Sequence, residues 1–237
     1  MDSNLANTKI IVFDIGGTLM EYRNMPNVWT EYYPTAFKHI RESLHLDLSD
    51  EDIAKSVEIM KSLNPRVNYR EEEYSPEKIF EAVTTDWNVE CTLQDIIREF
   101  FDSMELTPYI YPETISVLEY LREQGIYIAT LTDVAAGMPD ELHKSYFEEL
   151  QPYFDLYVSS LSCGYRKPNP KGLQDISGYF QMPVENMIFV GDEEKDIMTA
   201  KRFGCRSILI DRETRGNDFG QDVTIRDLRE LLMGNRR

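Results

Sequence analysis

The chain of 237 residues contains few cysteines and no long apolar run. Its three cysteines, Cys91, Cys163 and Cys205, lie far apart and form no C-x-x-C pair, which argues against a disulfide framework and a zinc knuckle. No stretch approaches the roughly 18 apolar residues needed to cross a bilayer, and residues 1–8 lack the apolar segment of a signal peptide. We therefore expect a cytoplasmic protein.

Basic residues are scarce as well. The chain has 25 Lys and Arg against 42 Asp and Glu, which gives a formal net charge of -17. A chain of this charge repels phosphate backbones and anionic lipid surfaces, so we expect neither nucleic acid nor a membrane as a partner. Hydrophobic residues make up 42% and charged residues 28%, a balance typical of a folded globular protein. Nothing in the sequence predicts the oligomeric state.

Three short apolar runs predict strands that are buried on both faces. Each run ends in polar residues: residues 9–13 precede Asp14, residues 126–131 precede Thr132 and Asp133, and residues 187–190 precede Gly191 and Asp192. Helical patterns separate the runs, which predicts an α/β fold with a Rossmann-like, doubly wound parallel sheet. Ligands bind such sheets at the carboxyl ends of the strands, so Asp14, Thr132 and Asp192 should converge there.

Other segments complete this predicted α/β core. Helical patterns cover residues 113–124, 139–150, 170–180, 196–203 and 225–232, and further strands are expected at 156–159 and 207–210. Residues 22–107 break the alternation with helical patterns at 27–45, 50–63, 75–86 and 92–104. We therefore predict a core domain formed by residues 1–21 and 108–237, with an inserted α-helical domain at 22–107.

The polar residues at the predicted strand ends suit phosphoryl transfer. A carboxylate such as Asp14 can attack phosphorus and form an aspartyl phosphate, which divides one difficult hydrolysis into two steps. A phosphate dianion facing Asp14, Asp192 and Asp196 would meet strong repulsion, because each like-charge contact near 4 Å costs roughly 4 kcal/mol at an effective dielectric of about 20. Two carboxylates and a backbone carbonyl suit Mg²⁺, so we expect this ion as a cofactor.

Four segments in order resemble the motifs of the haloacid dehalogenase superfamily. They are residues 14–19 (DIGGTL), Thr132, Lys167 in a Lys-Pro-Asn-Pro segment, and residues 191–196 (GDEEKD). The resemblance implies a hydrolase with Asp14 as the nucleophile and with the helical insertion as a C1-type cap. It implies Mg²⁺ ligation by Asp14, Asp192 and the carbonyl of Gly16, with Asp196 in support.

The phosphoryl group needs its own contacts in this interpretation. Thr132 and Lys167 supply a hydroxyl and an ammonium, and backbone groups near Ile15, Gly16 and Asp133 can fix the phosphoryl oxygens. The leading hypothesis is thus a Mg²⁺-dependent phosphatase in which Asp14, Thr132 and Lys167 are catalytic. Its substrate would be a small phosphorylated metabolite.

The sequence departs from the family's phosphatases at one position. These enzymes carry a second Asp two residues after the nucleophile as general acid and base, and Gly16 occupies that position here. General acid–base assistance contributes about 10²–10⁴-fold. The loss predicts a preference for substrates whose leaving groups depart without a proton.

The departure at Gly16 keeps three alternatives open. A dehalogenase would have Tyr at this position. A phosphonatase would use a lysine of the insertion as a Schiff base, and the candidate is Lys55, although Ile53 and Val57 beside it favour a surface lysine on an amphipathic helix. A third alternative is a non-catalytic module that keeps the fold and binds phosphate or metal.

Overall fold

The computed structural model describes residues 5, 7–24 and 28–232. The predicted start of a helix at Asn27, and the outermost ends of the predicted core at residues 1–4 and 233–237, lie outside these residues. The chain forms two compact units. The first comprises Met1–Glu21, Tyr109–Asp133 and Phe147–Arg237, and the second comprises Tyr22–Pro108 and Val134–Tyr146.

Within the described residues, eight strands form two sheets. They are β1 (Ile10–Phe13), β2 (Met20–Arg23), β3 (Thr107–Ile110), β4 (Tyr127–Thr132), β5 (Leu156–Ser159), β6 (Met187–Gly191), β7 (Arg206–Ile210) and β8 (Val223–Ile225). The large sheet has the order β5-β4-β1-β6-β7-β8, and its neighbouring strands are all parallel. The small sheet pairs β2 with β3.

The central position of β1 follows from its composition. All four of its residues are fully buried, as expected for a strand between two covered faces. Ile10 is in register with Tyr127 of β4 and with Met187 of β6. Parallel strands with flanking helices confirm the predicted doubly wound, Rossmann-like α/β class.

Nine α-helices accompany the strands. They are α1 (Trp29–Ser43), α2 (Asp50–Leu63), α3 (Pro76–Val83), α4 (Leu93–Asp102), α5 (Thr114–Glu123), α6 (Asp140–Ser145), α7 (Ser160–Cys163), α8 (Lys171–Phe180) and α9 (Glu194–Phe203) among the described residues. None of them is both long enough and apolar enough to cross a membrane.

The second unit is built from α1–α4 and α6 around an aromatic core. The rings of Tyr33, Phe37 and Phe80 lie 5.7, 5.4 and 5.3 Å from the ring of Phe100. Side chains cap the starts of three of its helices: Ser49 and Asp52 form a capping box at α2, Ser75 caps α3, and Thr92 caps α4. These caps satisfy backbone N–H groups that have no partner within the helix.

Residues 134–146 differ from the predicted domain ranges, which placed them in the core. They belong to the second unit, because Ala136 and Met138 are buried in its apolar cluster. The predicted helix at 139–150 is correspondingly shorter, since α6 ends at Ser145. The chain returns to the first unit at Phe147.

The predicted final helix at residues 225–232 is wrong. Ile225 instead ends β8, where it is in register with Ile210 of β7. A short 3-10 helix follows at Leu228–Leu231, and the side chain of Asp227 accepts a hydrogen bond from the Arg229 N–H at its start. Val223 and Ile225 alternate with period two along β8, and only Ile225 of the two fell within the predicted helix.

Candidate active site

Three carboxylates meet at the carboxyl end of the large sheet. Asp14 follows β1, Asp192 follows β6, and Asp196 lies in the first turn of α9. One oxygen from each lies within 4.8 Å of one oxygen from each of the others. The Asp14 N–H donates to the Val190 carbonyl at 2.9 Å, so sheet pairing fixes the backbone of Asp14. The sheet thus brings together the three acids that the motifs identified.

Lys167 links two of these acids. Its Nζ lies 2.8 Å from Asp14 Oδ1 and 2.6 Å from Asp196 Oδ1, and all three side chains are buried. The other oxygen of Asp196 accepts the Glu193 N–H at 2.9 Å and completes a capping box at the start of α9. Asp196 is therefore held by the lysine and by the helix start together.

Asp14, Asp192 and Lys167 all have shifted pKa values, because the groups are buried close to other charges. Burial raises the pKa of Asp14 to about 6, against the attraction of Lys167. Burial, together with the charges of Asp14 and Asp196, raises the pKa of Asp192 to about 8. Burial alone would lower the pKa of Lys167, but Asp14 and Asp196 raise it well above its usual value. The two acids thus favour the charged form of Lys167.

The donor set fits a hard divalent cation. The three carboxylates lie close together, and the ammonium of Lys167 pairs with two of them, Asp14 and Asp196. A bound cation would compensate the negative charge that remains. Asp192 carries the strongest evidence, because its pKa is raised by burial and by like charges and its side chain has no salt bridge to a described residue. The three carboxylates therefore form a cluster that could hold a divalent cation with oxygen ligands.

Asp133, which follows β4, holds the cationic side of the site. Its Oδ1 accepts the backbone N–H of Lys167 at 3.0 Å. Its Oδ2 lies 3.2 Å from Lys195 Nζ and 3.9 Å from Arg166 Nη2. Burial would raise the pKa of Asp133, but Lys195, Lys167 and Arg166 lower it below its usual value. Asp133 therefore stays ionised and contacts Lys167, Lys195 and Arg166 through its side chain, and its predicted backbone contact with phosphate stays a prediction.

A tight turn lies between Asp14 and β2. Gly17 has a φ of +75°, and a Cβ at this residue would lie 2.3 Å from Asp192 Oδ2. Only glycine therefore allows the turn to lie so close to that carboxylate. Gly16 differs from it: its φ is not positive, and a Cβ there would meet no atom within 4 Å. The position of the missing general acid is open to a side chain.

The remaining predicted residues lie beside these groups. Ile15 is buried, and its carbonyl accepts the N–H groups of Thr18, Leu19 and Met20. Thr132 is the last residue of β4, is buried, and is in register with Ser159. These positions agree with a site at the strand ends, but no described side-chain contact joins Ile15, Gly16 or Thr132 to the three carboxylates.

Three residues of the site were not predicted as site residues from the sequence: Lys195, Arg166 and Thr18. Lys195 lies inside the fourth motif itself, so its charge between two acids was a usable signal. Arg166 precedes Lys167 directly. Thr18 is fully buried and its Oγ1 lies 3.4 Å from Asp192 Oδ1. The first motif contains Thr18 but did not indicate this contact.

Comparison with known proteins identifies the family. The family model for a haloacid dehalogenase-like hydrolase matches residues 8–204, which include all four motifs and the insertion. The chain therefore belongs to the haloacid dehalogenase-like hydrolases. This match confirms the family predicted from the motifs.

Its similar curated relatives are phosphatases. A phosphoglycolate phosphatase of Neisseria meningitidis is 32% identical over 112 residues, which cover 47% of this chain and 47% of that protein. A phosphoserine phosphatase of Thermus thermophilus is 30% identical over 144 residues, or 59% and 56% of the two chains. These matches span about half the length of each relative. A phosphoglycolate phosphatase of Aliivibrio fischeri matches over 91% of this chain and 88% of its own at 23% identity.

Solved structures share the fold at lower identity. A HAD phosphatase from Thermococcus onnurineus superposes with a TM-score of 0.63 at 20% identity, covering 97% of this chain and 100% of that one. A dehalogenase superposes with a TM-score of 0.59 at 17% identity, covering 97% and 99%. Since both activities occur on this fold, the site and not the fold has to decide between them.

Proposed function

We propose that the chain is a Mg²⁺-dependent phosphatase that transfers the phosphoryl group of a small metabolite to Asp14 and then to water. One observation carries the proposal: Asp14, Asp192 and Asp196 meet within 4.8 Å while Lys167 bridges two of them. The phosphatase names of the similar curated relatives support the same reaction. We also propose a cytoplasmic location and no nucleic acid or membrane partner.

Asp14 would act as the nucleophile. One carboxylate oxygen forms a bond to phosphorus, the bond to the leaving oxygen breaks, and the leaving group takes the electron pair. Lys167 lies 2.8 Å from Asp14 Oδ1, where its charge orients the nucleophile and offsets the charge of the incoming phosphate. Thr132 and backbone N–H groups near Ile15, Gly16 and Asp133 would then bind the phosphoryl oxygens.

Asp14, Asp192 and the Gly16 carbonyl would hold Mg²⁺, with Asp196 in support. When bound, the ion neutralises charge on the phosphoryl group and orients it for in-line attack. Asp196 would serve chiefly to fix Lys167, since its two oxygens contact Lys167 and the Glu193 N–H.

Gly16 leaves the leaving group without a proton donor at the usual position. Asp133 does not replace it, because its pKa is lowered and its oxygens already accept from Lys167 and contact Lys195. We therefore propose that the enzyme favours substrates with good leaving groups, such as acyl and aryl phosphates. Residues 22–107 would form the helical cap that selects the substrate.

A steady-state assay tests the proposal. The protein should hydrolyse p-nitrophenyl phosphate with Mg²⁺, and the activity should disappear in Asp14→Asn and in chelator. A panel containing phosphoglycolate, phosphoserine, an acyl phosphate and sugar phosphates then ranks the substrates. Full activity in Asp14→Asn would contradict the role of Asp14, and full activity in chelator would contradict the role of the metal.

A second candidate function is a non-catalytic module that binds phosphate or metal, which Gly16 alone favours. It predicts Mg²⁺ binding without turnover of any panel member. The phosphonatase alternative has less support, because Lys55 is exposed and pairs with Glu51 at 3.1 Å. The hydrogen bond from Lys55 to Glu51 raises the pKa of Lys55, whereas a Schiff-base lysine needs a lowered one.

A further inference from the structure

An ion pair outside the four motifs lies behind the turn that follows Asp14. Arg212, two residues after β7, places Nη1 2.6 Å from Glu113 Oε1. The Glu113 side chain is only 6% exposed and that of Arg212 only 17%. The pair joins two segments that are 99 positions apart. Neither residue contacts Asp14, Lys167 or Asp196 in the described structure through a hydrogen bond or an ion pair that it forms.

Arg212 also hydrogen-bonds to the turn that follows Asp14. Its Nη2 donates to the carbonyl of Thr18 at 2.7 Å, and its guanidinium carbon lies 3.5 Å from the centre of the Tyr111 ring. The next carbonyl, that of Leu19, accepts from Thr114 Oγ1 at 2.8 Å and from the Tyr111 N–H at 3.2 Å. Two consecutive carbonyls of the turn are thus fixed from one side.

The opposite side of the turn faces Asp192. Thr18 Oγ1 lies 3.4 Å from Asp192 Oδ1. A Cβ on Gly17 would lie 2.3 Å from Asp192 Oδ2, which means that the backbone of Gly17 packs directly against this carboxylate. A shift of the turn would therefore alter the hydrogen bond to Oδ1 and the space next to Oδ2 of Asp192.

We propose that Arg212 and Glu113 are positioning residues that hold Asp192 in its orientation for the divalent cation, acting through the turn at Gly17 and Thr18. The proposal rests on the proposed function, since it assigns a task to residues outside the site that would bind Mg²⁺. A buried ion pair is a poor source of net stability compared with packed apolar residues. The Arg212–Glu113 pair lies next to a turn that contacts Asp192, so the role that we assign to it is positioning. Partners that hydrogen-bond a metal ligand directly commonly raise metal affinity about 10–100-fold, and we expect an effect of this size through the turn.

Direct measurement of Mg²⁺ binding by calorimetry tests the proposal without relying on turnover. Arg212→Met should weaken the affinity by about 10–100-fold. Arg122→Met is the matched control, because Arg122 also donates to a main-chain carbonyl, that of Pro152 at 2.6 Å, but on the exposed surface of the first unit. We expect less than about a twofold change in this control.

Arg212→Lys provides a second variant if Arg212→Met does not fold. It keeps the charge, but a lysine ammonium cannot reproduce the fork that joins Glu113 and the Thr18 carbonyl, so Mg²⁺ affinity should still fall. A double-mutant cycle with Thr18→Val separates positioning from general loss of stability. If Arg212 acts through the contact of the turn with Asp192, the two losses of affinity should be less than additive.

The outcomes separate this inference from the proposed function. A wild-type protein that binds no Mg²⁺ contradicts both. A wild-type protein that binds Mg²⁺, together with folded Arg212→Met and Arg212→Lys variants of unchanged affinity, overturns the role of Arg212 and leaves the metal site standing. An equal loss in Arg122→Met also overturns it.

Discussion

The two units of the molecule bury different kinds of side chain. The first unit buries six charged residues: Asp14, Glu113, Arg166, Lys167, Asp196 and Asp211. The second unit has an aromatic and aliphatic core, and its buried polar residues among those described are Ser56, Asn64, Ser103 and His143. A buried ion pair contributes little net stability compared with packed apolar residues, but removing one partner of the pair is destabilising. Substitutions at the site of the first unit should therefore change chemistry as well as stability, whereas those in the core of the second unit should change stability alone.

The largest expected effect on stability comes from Phe100→Ala in the second unit. Phe100 is 1% exposed and its ring lies 5.1–5.7 Å from four other aromatic rings. Deleting it should lower the free energy of unfolding by about 3–5 kcal/mol, measured by urea unfolding with circular dichroism. Tyr179→Ala is the control, because Tyr179 is 64% exposed and should cost less than about 0.5 kcal/mol. Weakened Mg²⁺ binding in folded Phe100→Ala would break the comparison between the units.

His143 gives the second unit its own dependence on pH. Burial lowers the pKa of His143 to about 4, from 6.5 in the unfolded chain. Below pH 6.5 the unfolded chain binds a proton at His143 that the folded chain does not bind. The free energy of unfolding is therefore unaffected by this group above pH 6.5 and falls by about 3 kcal/mol in all as the pH drops towards 4.

Unfolding of His143→Gln between pH 7 and pH 4 measures this effect. The variant should lose less stability than the wild type over that interval. His45→Gln, at an exposed position of the same unit, is the control for the substitution itself. Parallel curves for the wild type and His143→Gln would show that this histidine contributes nothing to acid sensitivity.

Gly16→Asp sharpens the chemical side of the comparison. The position has room for a side chain and no positive φ, so the carboxylate can be accommodated. If it acts as a general acid, rates on alkyl phosphates should rise by up to about 10²-fold while rates on aryl phosphates change little.

Gly17→Ala is the matched control for that variant. It requires an unfavourable backbone conformation and places a Cβ 2.3 Å from Asp192 Oδ2, so we expect it to reduce activity on both substrate classes. Equal rates of wild-type protein on alkyl and aryl phosphates, with chemistry limiting, would mean that another group already donates the proton.

The smallest expected effect is a gain in stability. Asp192→Asn removes one of three carboxylates that lie within 4.8 Å of one another, so in chelator it should raise the free energy of unfolding by about 1–3 kcal/mol. The rate of Mg²⁺-dependent hydrolysis should fall in the same variant. Asp196→Asn should not stabilise the protein, because Asp196 pairs with Lys167 and caps α9. A stabilised Asp196→Asn would contradict that distinction.

The sequence predicted the elements whose signals are local. The runs that became β1, β4 and β6 are continuous and apolar, and α2 matched its predicted range because Ser49 and Leu63 bound a clear helical period. The strands β2 and β3 were not predicted, since MEYR and TPYI are short and mix polar with apolar residues. Their pairing depends on partners that are distant in sequence.

The candidate site divides in the same way. Asp14, Lys167, Asp192 and Asp196 were predicted because each stands in a motif whose order and spacing carry information. Arg212 and Glu113 were not, because their contact joins segments 99 positions apart and neither has a recognisable local pattern. The same holds for the side-chain role of Asp133, which depends on where Lys167 and Lys195 come to lie.

The central place of β1 has a consequence for how the chain folds during synthesis. Ile10 pairs with Tyr127 and Met187, so the strand leaves the ribosome long before either neighbour exists. Its apolar residues must wait, unpaired, while the helices at Trp29–Asp102 form from local contacts, which close faster than distant ones. The segment that carries Asp14 is thus made well before the two strands that shelter it. A nascent chain in this state exposes an aggregation-prone strand, and we expect chaperone binding to concentrate there.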